Sequence, residues 1–233
     1  MRGFFAILFA CLVGISAPAR AQQPVDVQLV LAIDSSSSVN MDEFYLQLEG
    51  YAAAFKHPDL LKAIQSGPQR AIAVCLFEWS GPNQKEVNFP WRVLSDEASV
   101  AAFADELAVA PRLVIGGETA IGDAIDFGGK LFEVSPGTGG RRVIDISGDG
   151  VSNRGREVST ARDDAVFAGI TINGVAILNE EPQLDVYYKA FVVGGNGAFA
   201  LAAHDYADFQ DVIVKKLVRE VTTIASAPSP ISR

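Results

Sequence analysis

The 233-residue chain predicts an α/β domain: a doubly wound, Rossmann-like, mostly parallel six-stranded sheet with one antiparallel strand and helices on both faces. Three observations predict it. Strand-like apolar runs alternate with runs of helical period along the whole chain. Several strand runs, such as Val25 to Ile33, Ala71 to Phe77 and Ile170 to Ile177, are apolar on both faces, as in a sheet covered by helices on both sides. Hydrophobic residues make up 49% and charged residues 20%, enough for one sizeable core, and no break in composition marks a second domain.

The elements follow in order. Met1-Arg2, an apolar run from Phe4 to Ile15 and the box Ala19-Arg20-Ala21 have the layout of a secretory signal peptide, residues 1–21, cleaved after Ala21. The run falls short of the about 20 apolar residues a transmembrane helix needs. A lipoprotein box at Cys11 fits less well, because Phe9 is bulky for it and the apolar run continues past Cys11. The mature chain is therefore read as exported, periplasmic or secreted, without a transmembrane segment.

The domain proper spans 25–225. Val25 to Ile33 reads as a strand that ends at Asp34. Met41 to Phe55 is helical, with Phe44, Leu48, Tyr51 and Phe55 on one face. Ala71 to Phe77 is a buried strand; the turn Ser80-Gly-Pro-Asn83 returns the chain to an antiparallel strand, Val87 to Leu94. Ser95 caps a helix to Leu107, and Thr119 opens another to Phe132. Pro136 to Gly140 is a loop. Arg142 to Ser147 is a strand ending at Gly148-Asp149-Gly150. Then come a helix (Glu157 to Phe167), a strand (Ile170 to Ile177), a helix (Leu184 to Val192), a short last strand (Ala198 to Ala203) and an amphipathic closing helix (Tyr206 to Ile224). Residues 226–233, rich in Ser and Pro, read as a flexible tail.

Composition excludes several functions. Two Cys and two His rule out a disulfide scaffold, a Cys-ligated zinc module and a multi-histidine metal centre. A net charge of −9 gives no footprint for nucleic acid. Cleavage after Ala21 removes Arg2 and Arg20, which takes the 19 basic residues to 17 against 28 acidic ones, a net −11.

Three segments carry chemistry. Asp34-Ser-Ser-Ser-Ser38 follows the first strand, Gly116-Gly-Glu-Thr119 precedes a helix, and Ser147-Gly-Asp149-Gly follows the fourth strand. In a sheet of order 3-2-1-4-5-6 the first and fourth strands are neighbours, and the crevice beyond their C-terminal ends is the switch point where ligands bind. Asp34 and Asp149 then face each other across about 5 Å and repel unless a cation or proton lies between them. The hydroxyls of Ser36, Ser38 and Thr119 converge there, and such hard oxygens suit Mg²⁺ or Mn²⁺.

Asp34-x-Ser36-x-Ser38, Thr119 in Thr-Ala-Ile-Gly-Asp-Ala-Ile and Ser-Gly-Asp149-Gly resemble, in order and spacing, the metal-ion-dependent adhesion site (MIDAS) of von Willebrand factor type A domains. The resemblance covers about Val25 to Ala225. Phe77-Glu-Trp-Ser80, Arg141 to Gly150 and Gly169 to Gly174 further resemble an exported bacterial type A family of unassigned function. The resemblance implies hydroxyl ligands from Ser36, Ser38 and Thr119, with Asp34 and Asp149 binding directly or through water. It leaves one position for an Asp or Glu of a protein partner. Only two formal charges surround the ion, so it stays electrophilic.

Other residues are read more plainly. Gly195-Asn-Gly-Ala-Phe-Ala200 is a turn, not a dinucleotide loop, since it precedes a strand. His57, before Pro58, is a surface or capping residue, and Cys75 a core thiol. His204 ends the last strand, about 10 Å from Asp149. Asp145, an acid inside a buried strand, needs a partner: Arg141, Arg142 or Arg162. Glu78 and Trp79 either line the rim of the site or pack a hairpin end. The function expected is a non-enzymatic, metal-dependent protein-binding domain. The alternatives are a metal-dependent hydrolase using the same aspartates and a structural envelope protein with an idle site.

Overall fold

The computed structural model describes residues 22–222. The signal peptide, Cys11 and the 226–233 tail lie outside them. The sheet has six strands: β1 (Val27–Asp34), β2 (Ile72–Trp79), β3 (Lys85–Leu94), β4 (Arg141–Gly148), β5 (Ile170–Ile177) and β6 (Ala200–Ala203). Their order is β3-β2-β1-β4-β5-β6, parallel throughout except for β2–β3. This is the architecture read from the sequence. The order reverses between β1 and β4, where Ile33 pairs with Ser147. Asp34 and Asp149 therefore leave the sheet side by side.

The helices are α1 (Met41–Lys56), α2 (Pro58–Ser66), α3 (Glu97–Leu107), α4 (Ile121–Leu131), α5 (Val158–Phe167), α6 (Leu184–Tyr187) and α7 (Tyr206–Thr222). Two apolar layers sandwich the sheet. One packs Phe44, Tyr51, Leu60, Phe103, Phe209 and Ile213 from α1, α2, α3 and α7. The other packs Ile121, Ile125, Ala161 and Leu184 from α4, α5 and α6, with Tyr188 just after α6. Alternate side chains of each central strand serve opposite layers, which is why β1, β2 and β5 are buried at every position.

Several boundaries differ from the sequence reading. A helix, α2, occupies the stretch after Pro58; His57 caps it by accepting the Asp59 N–H at Nδ1 (3.2 Å). The cap of α3 is Asp96, whose carboxylate accepts from Ser99 N–H (2.8 Å), while the Ser95 N–H is spent on Ser99 Oγ. Helix α4 starts at Ile121, not Thr119, because the Thr119 backbone is tied elsewhere: its N–H donates to Asn153 Oδ1 and its carbonyl accepts Asn153 N–H (both 2.9 Å). Within the predicted 136–140 loop, Gly137–Thr138 forms a two-residue parallel ladder with Gln23–Pro24. The helix after Leu184 turns into a π-helix at Tyr188–Val192, and β6 starts at Ala200 because Phe199 N–H donates to Asn173 Oδ1 (3.0 Å).

Asp145 does have a buried cationic partner, but none of the arginines named from sequence. Lys216 of α7 reaches it at 2.5 Å, and the same ammonium lies 2.5 Å from Glu220. All three side chains are fully buried. Arg141 and Arg142 turn to the Glu220 and Ala168 carbonyls, and Arg162 pairs with Asp163 (2.7 Å). Arg141 and Arg142 stand at the start of β4, four and three residues before Asp145, and are spent on backbone carbonyls, whereas Lys216 of α7 reaches the middle of the strand.

Candidate metal centre

The crevice at the switch point is built from the loop that follows β1. Asp34 closes a tight turn by accepting the Ser36 N–H at Oδ1 (2.8 Å), an Asx turn that its short side chain makes possible. Ser36 Oγ lies 3.1 Å from Ser38 Oγ, and Ser38 Oγ donates to Asp149 Oδ1 (2.7 Å). Four of the five residues singled out from sequence thus form one continuous polar chain across the two strand ends. Asp34, Ser36 and Asp149 are fully buried, while Ser38 is exposed, so the chain opens to solvent on one side. Thr119 comes in from a third segment: its Oγ1 would be 3.8 Å from a Cβ placed on Gly150. Its hydroxyl does not cap α4, whose N-cap is Ala120 with no side-chain hydrogen bond.

The electrostatics leave room for a cation. Asp34 Oδ2 is buried with no hydrogen-bond partner. Burial, and next the Asp149 charge, push the Asp34 carboxyl up to about 7, against the pull of the Ser36 hydrogen bonds and Arg112. A carboxylate held this way is short of positive charge or of a proton. Gly148 is what makes space above it: a Cβ there would lie 2.7 Å from Asp34 Oδ2. Among the described residues no three His, Cys, Asp or Glu side chains converge as a metal cluster. A metal here would rest on two carboxylates and hydroxyls, a hard-oxygen set that fits Mg²⁺ or Mn²⁺.

Three residues missed in the sequence, Arg112, Gln47 and Tyr206, hold this crevice together with Glu78. Arg112 spreads its guanidinium beneath the 35–39 loop, donating to Ser35 O (2.7 Å), Ser35 Oγ, Val39 O and Val114 O (each 2.8 Å) and Ser36 O (3.2 Å). The only hint in the sequence was a lone Arg inside Val109-Ala-Pro-Arg-Leu-Val-Ile115. Gln47 of α1 donates to Asp34 O (3.2 Å). Tyr206, first residue of α7, donates to Asp149 Oδ2 (3.0 Å); burial and then Asp149 hold its phenol far above the ordinary range. Glu78, weighed as a rim residue or a hairpin end, is a buried clamp. Its carboxylate accepts the N–H groups of Leu113 (3.0 Å) and Val114 (2.7 Å), and the Ser35 hydroxyl (3.2 Å). Trp79 is core. The His204 N–H donates to Asp208 Oδ2 (3.2 Å).

No curated protein matches the chain by sequence. Solved structures do match by fold. A von Willebrand factor type A protein from Catenulispora acidiphila superposes with a TM-score of 0.59 at 16% identity, over 85% of this chain and 43% of that one. Proximal thread matrix protein 1 of the mussel byssus, in a structure described as having a zinc-occupied MIDAS motif, gives 0.54 at 17% identity over 87% and 47%. BatB from Bacteroides thetaiotaomicron gives 0.50 at 15% identity over 84% and 100%. The chain thus spans less than half the length of the first two. At these identities the likeness establishes the fold, that of a von Willebrand factor type A domain. The family model described as "Protein of unknown function (DUF1194)" matches residues 24–225, and the chain belongs to that family.

Proposed function

We propose that the chain is an exported, divalent-metal-dependent protein-binding domain of adhesion type, with a signal peptide over residues 1–21 and no catalytic role. One observation carries this reading. Four of the five oxygen-bearing side chains form one polar chain at the switch point, Thr119 approaches Gly150 beside them, and one buried carboxylate oxygen, Asp34 Oδ2, has no hydrogen-bond partner. Ser36, Ser38 and Thr119 are assigned as hydroxyl ligands, and Asp34 and Asp149 as ligands directly or through water. The metal, Mg²⁺ or Mn²⁺, supplies a Lewis-acidic point for an Asp or Glu of the partner.

The surroundings suit a protein surface. Each of the three ligand-bearing segments has exposed apolar side chains near it in sequence: Met41 (47% exposed), Leu113 (48%) and Ile115 (76%), and Val151 (39%). An acidic protein of net charge −9 repels an acidic partner in general, so attachment needs the metal for the carboxylate and apolar contact for the rest. A pilus adhesin, SpaC from Lactobacillus rhamnosus GG, is among the fold neighbours (TM-score 0.57, 13% identity, 86% of this chain and 32% of that one), and among the described residues no helix is long and apolar enough to cross a membrane.

The test is calorimetric titration with Mg²⁺ and Mn²⁺, then binding of immobilised Asp- and Glu-bearing peptides with metal and with EDTA. Metal binding with EDTA-sensitive peptide capture supports the reading. No heat and no melting shift with either ion makes the site idle. Metal-dependent turnover of phosphate or ester substrates points to the hydrolase instead.

A further inference from the structure

A second buried polar atom without a hydrogen-bond partner lies beside the same glycine as Asp34 Oδ2. It is the hydroxyl of Tyr188, a side chain that is 0% exposed. A Cβ built on Gly148 would fall 2.7 Å from Asp34 Oδ2 and 3.0 Å from the Tyr188 hydroxyl. The two orphan atoms therefore face one small space that exists because residue 148 has no side chain.

The path of the tyrosine is also carved. On the neighbouring strand, a Cβ on Gly174 would lie 2.6 Å from Tyr188 Cδ1 and 3.0 Å from Cε1. Gly148 and Gly174, on β4 and β5, leave space that a side chain would take from Tyr188: Gly174 along its ring edge and Gly148 at its hydroxyl, which points to the Asp34 side. The backbone pays a local irregularity to put it there. Tyr188 opens the π-helix Tyr188–Val192, closed by Val193 N–H on Tyr188 O (3.0 Å); such wide turns are uncommon and cluster at functional positions. A Phe would fill the ring's space equally well, so packing alone does not account for a hydroxyl. Leaving a buried hydroxyl and a buried carboxylate oxygen both unpaired is costly, and a donor facing an acceptor removes both costs together.

We propose that Tyr188 is a positioning residue of the metal centre: its hydroxyl donates to Asp34 Oδ2, directly or across one internal water, and fixes the orientation in which Asp34 meets the cation. The inference rests on the metal-binding reading above. Partners of this kind behind a ligand typically change metal affinity about 10–100-fold.

Tyr188→Phe tests it, since the ring and its packing are kept. Mg²⁺ affinity by calorimetry should fall about 10–100-fold; an unchanged affinity, with a melting temperature in EDTA equal to or above wild type, overturns the proposal, because the hydroxyl was then only an unpaired group. A metal-free measurement separates this from failure of the metal reading itself. In EDTA the wild type should show a slowly exchanging tyrosine hydroxyl proton by NMR, lost in Tyr188→Phe and moved or lost in Asp34→Ala. Absence of that resonance, or its indifference to Asp34→Ala, overturns the proposal whether or not the wild type binds metal. If the resonance behaves as stated but no metal binds, the Tyr188–Asp34 pair stands and the metal reading falls.

Discussion

Lys216→Met tests the strongest buried electrostatic element of the fold. The Lys216 ammonium lies 2.5 Å from both Asp145 and Glu220, and Asn173 supplies a further donor to Glu220 at 2.8 Å. Two carboxylates share one cation, with no solvent reaching any of them. Removing the cation leaves both acids buried together, a change that typically costs about 3–5 kcal/mol. At about 2–4 °C per kcal/mol for a domain of this size, the variant should melt roughly 10 °C lower at neutral pH. The pH dependence carries the sign. Burial pushes the Asp145 carboxyl from its ordinary 3.8 up to about 7, against the pull of Lys216. The native state then holds a proton that the unfolded chain has lost, so this group's contribution to stability falls as pH rises from about 4 to 7. Without Lys216 only the weaker pull of the Tyr51 hydroxyl opposes that rise, and the gap between variant and wild type should widen from pH 5 to pH 8. Asp145→Asn in the Lys216→Met background should recover part of the loss, because one buried charge is gone. Thermal melts of the four proteins at pH 5, 6.5 and 8, all in EDTA, check this. A gap that is constant or narrows with pH would refute the charge accounting.

Other outcomes follow from the site. A saturating divalent ion at a hundredfold excess over Kd should raise stability by about 2.7 kcal/mol; Asp34→Ala and Asp149→Ala should shrink that gain, whatever each does to the melting temperature in EDTA, where the relief of a repulsion is set against the loss of the Ser36, Ser38 and Tyr206 hydrogen bonds. Because Asp34 titrates near 7 in the metal-free protein, protons compete with the metal, and the apparent Kd for Mg²⁺ should rise about tenfold per pH unit below that value; calorimetry at pH 5.5, 6.5 and 7.5 reads it. Arg112→Ala removes the guanidinium that ties Ser35, Ser36 and Val39 to Val114 and should lower both melting temperature and metal affinity, with faster amide exchange over 35–39 as the local readout. Mass spectrometry of the exported protein should find Gln22, or its cyclised form, at the N-terminus, whereas an acylated Cys11 would show a lipoprotein.

The fold was legible because its strands are buried on both faces and its helices on one, and those two periods are visible in residue type alone. What was not legible were the ends. Ser95 and Asp96 are equally good caps by type, and only the Ser99 side chain, folding back onto both N–H groups, decides for Asp96. Thr119 reads as a helix start, but its backbone is claimed by Asn153, 34 residues away, and no local pattern announces a long-range bond. The same holds for Asp145. Its need for a partner follows from burial alone, but the choice of Lys216 over three arginines depends on where α7 crosses the sheet.

The candidate site divides in a similar way. The five oxygen-bearing residues proposed as ligands sit at strand ends and loop starts in a fixed order, and their order and spacing singled them out. The residues that hold them do not share a motif. Arg112, Glu78, Gln47, Tyr188 and Tyr206 come from a loop, a strand, a helix, a π-helix and the closing helix, and all but Gln47, 13 residues from Asp34, act at a distance of tens of residues in sequence. Their work is nonetheless specific. Arg112 and Glu78 fix the outer side of the loop through backbone groups of residues 35–39 and 113–114; Gln47 fixes the inner side through the Asp34 carbonyl. Tyr206 takes the Asp149 oxygen that Ser38 does not. A site made mostly of neutral hydroxyls binds a cation weakly unless its atoms are already in place, so on the proposed reading the affinity of this one would come from that scaffold. Transplanting Asp34, Ser36, Ser38, Thr119 and Asp149 alone onto another doubly wound sheet should therefore give little metal binding, and adding Arg112 and Glu78 should restore more of it than adding another carboxylate.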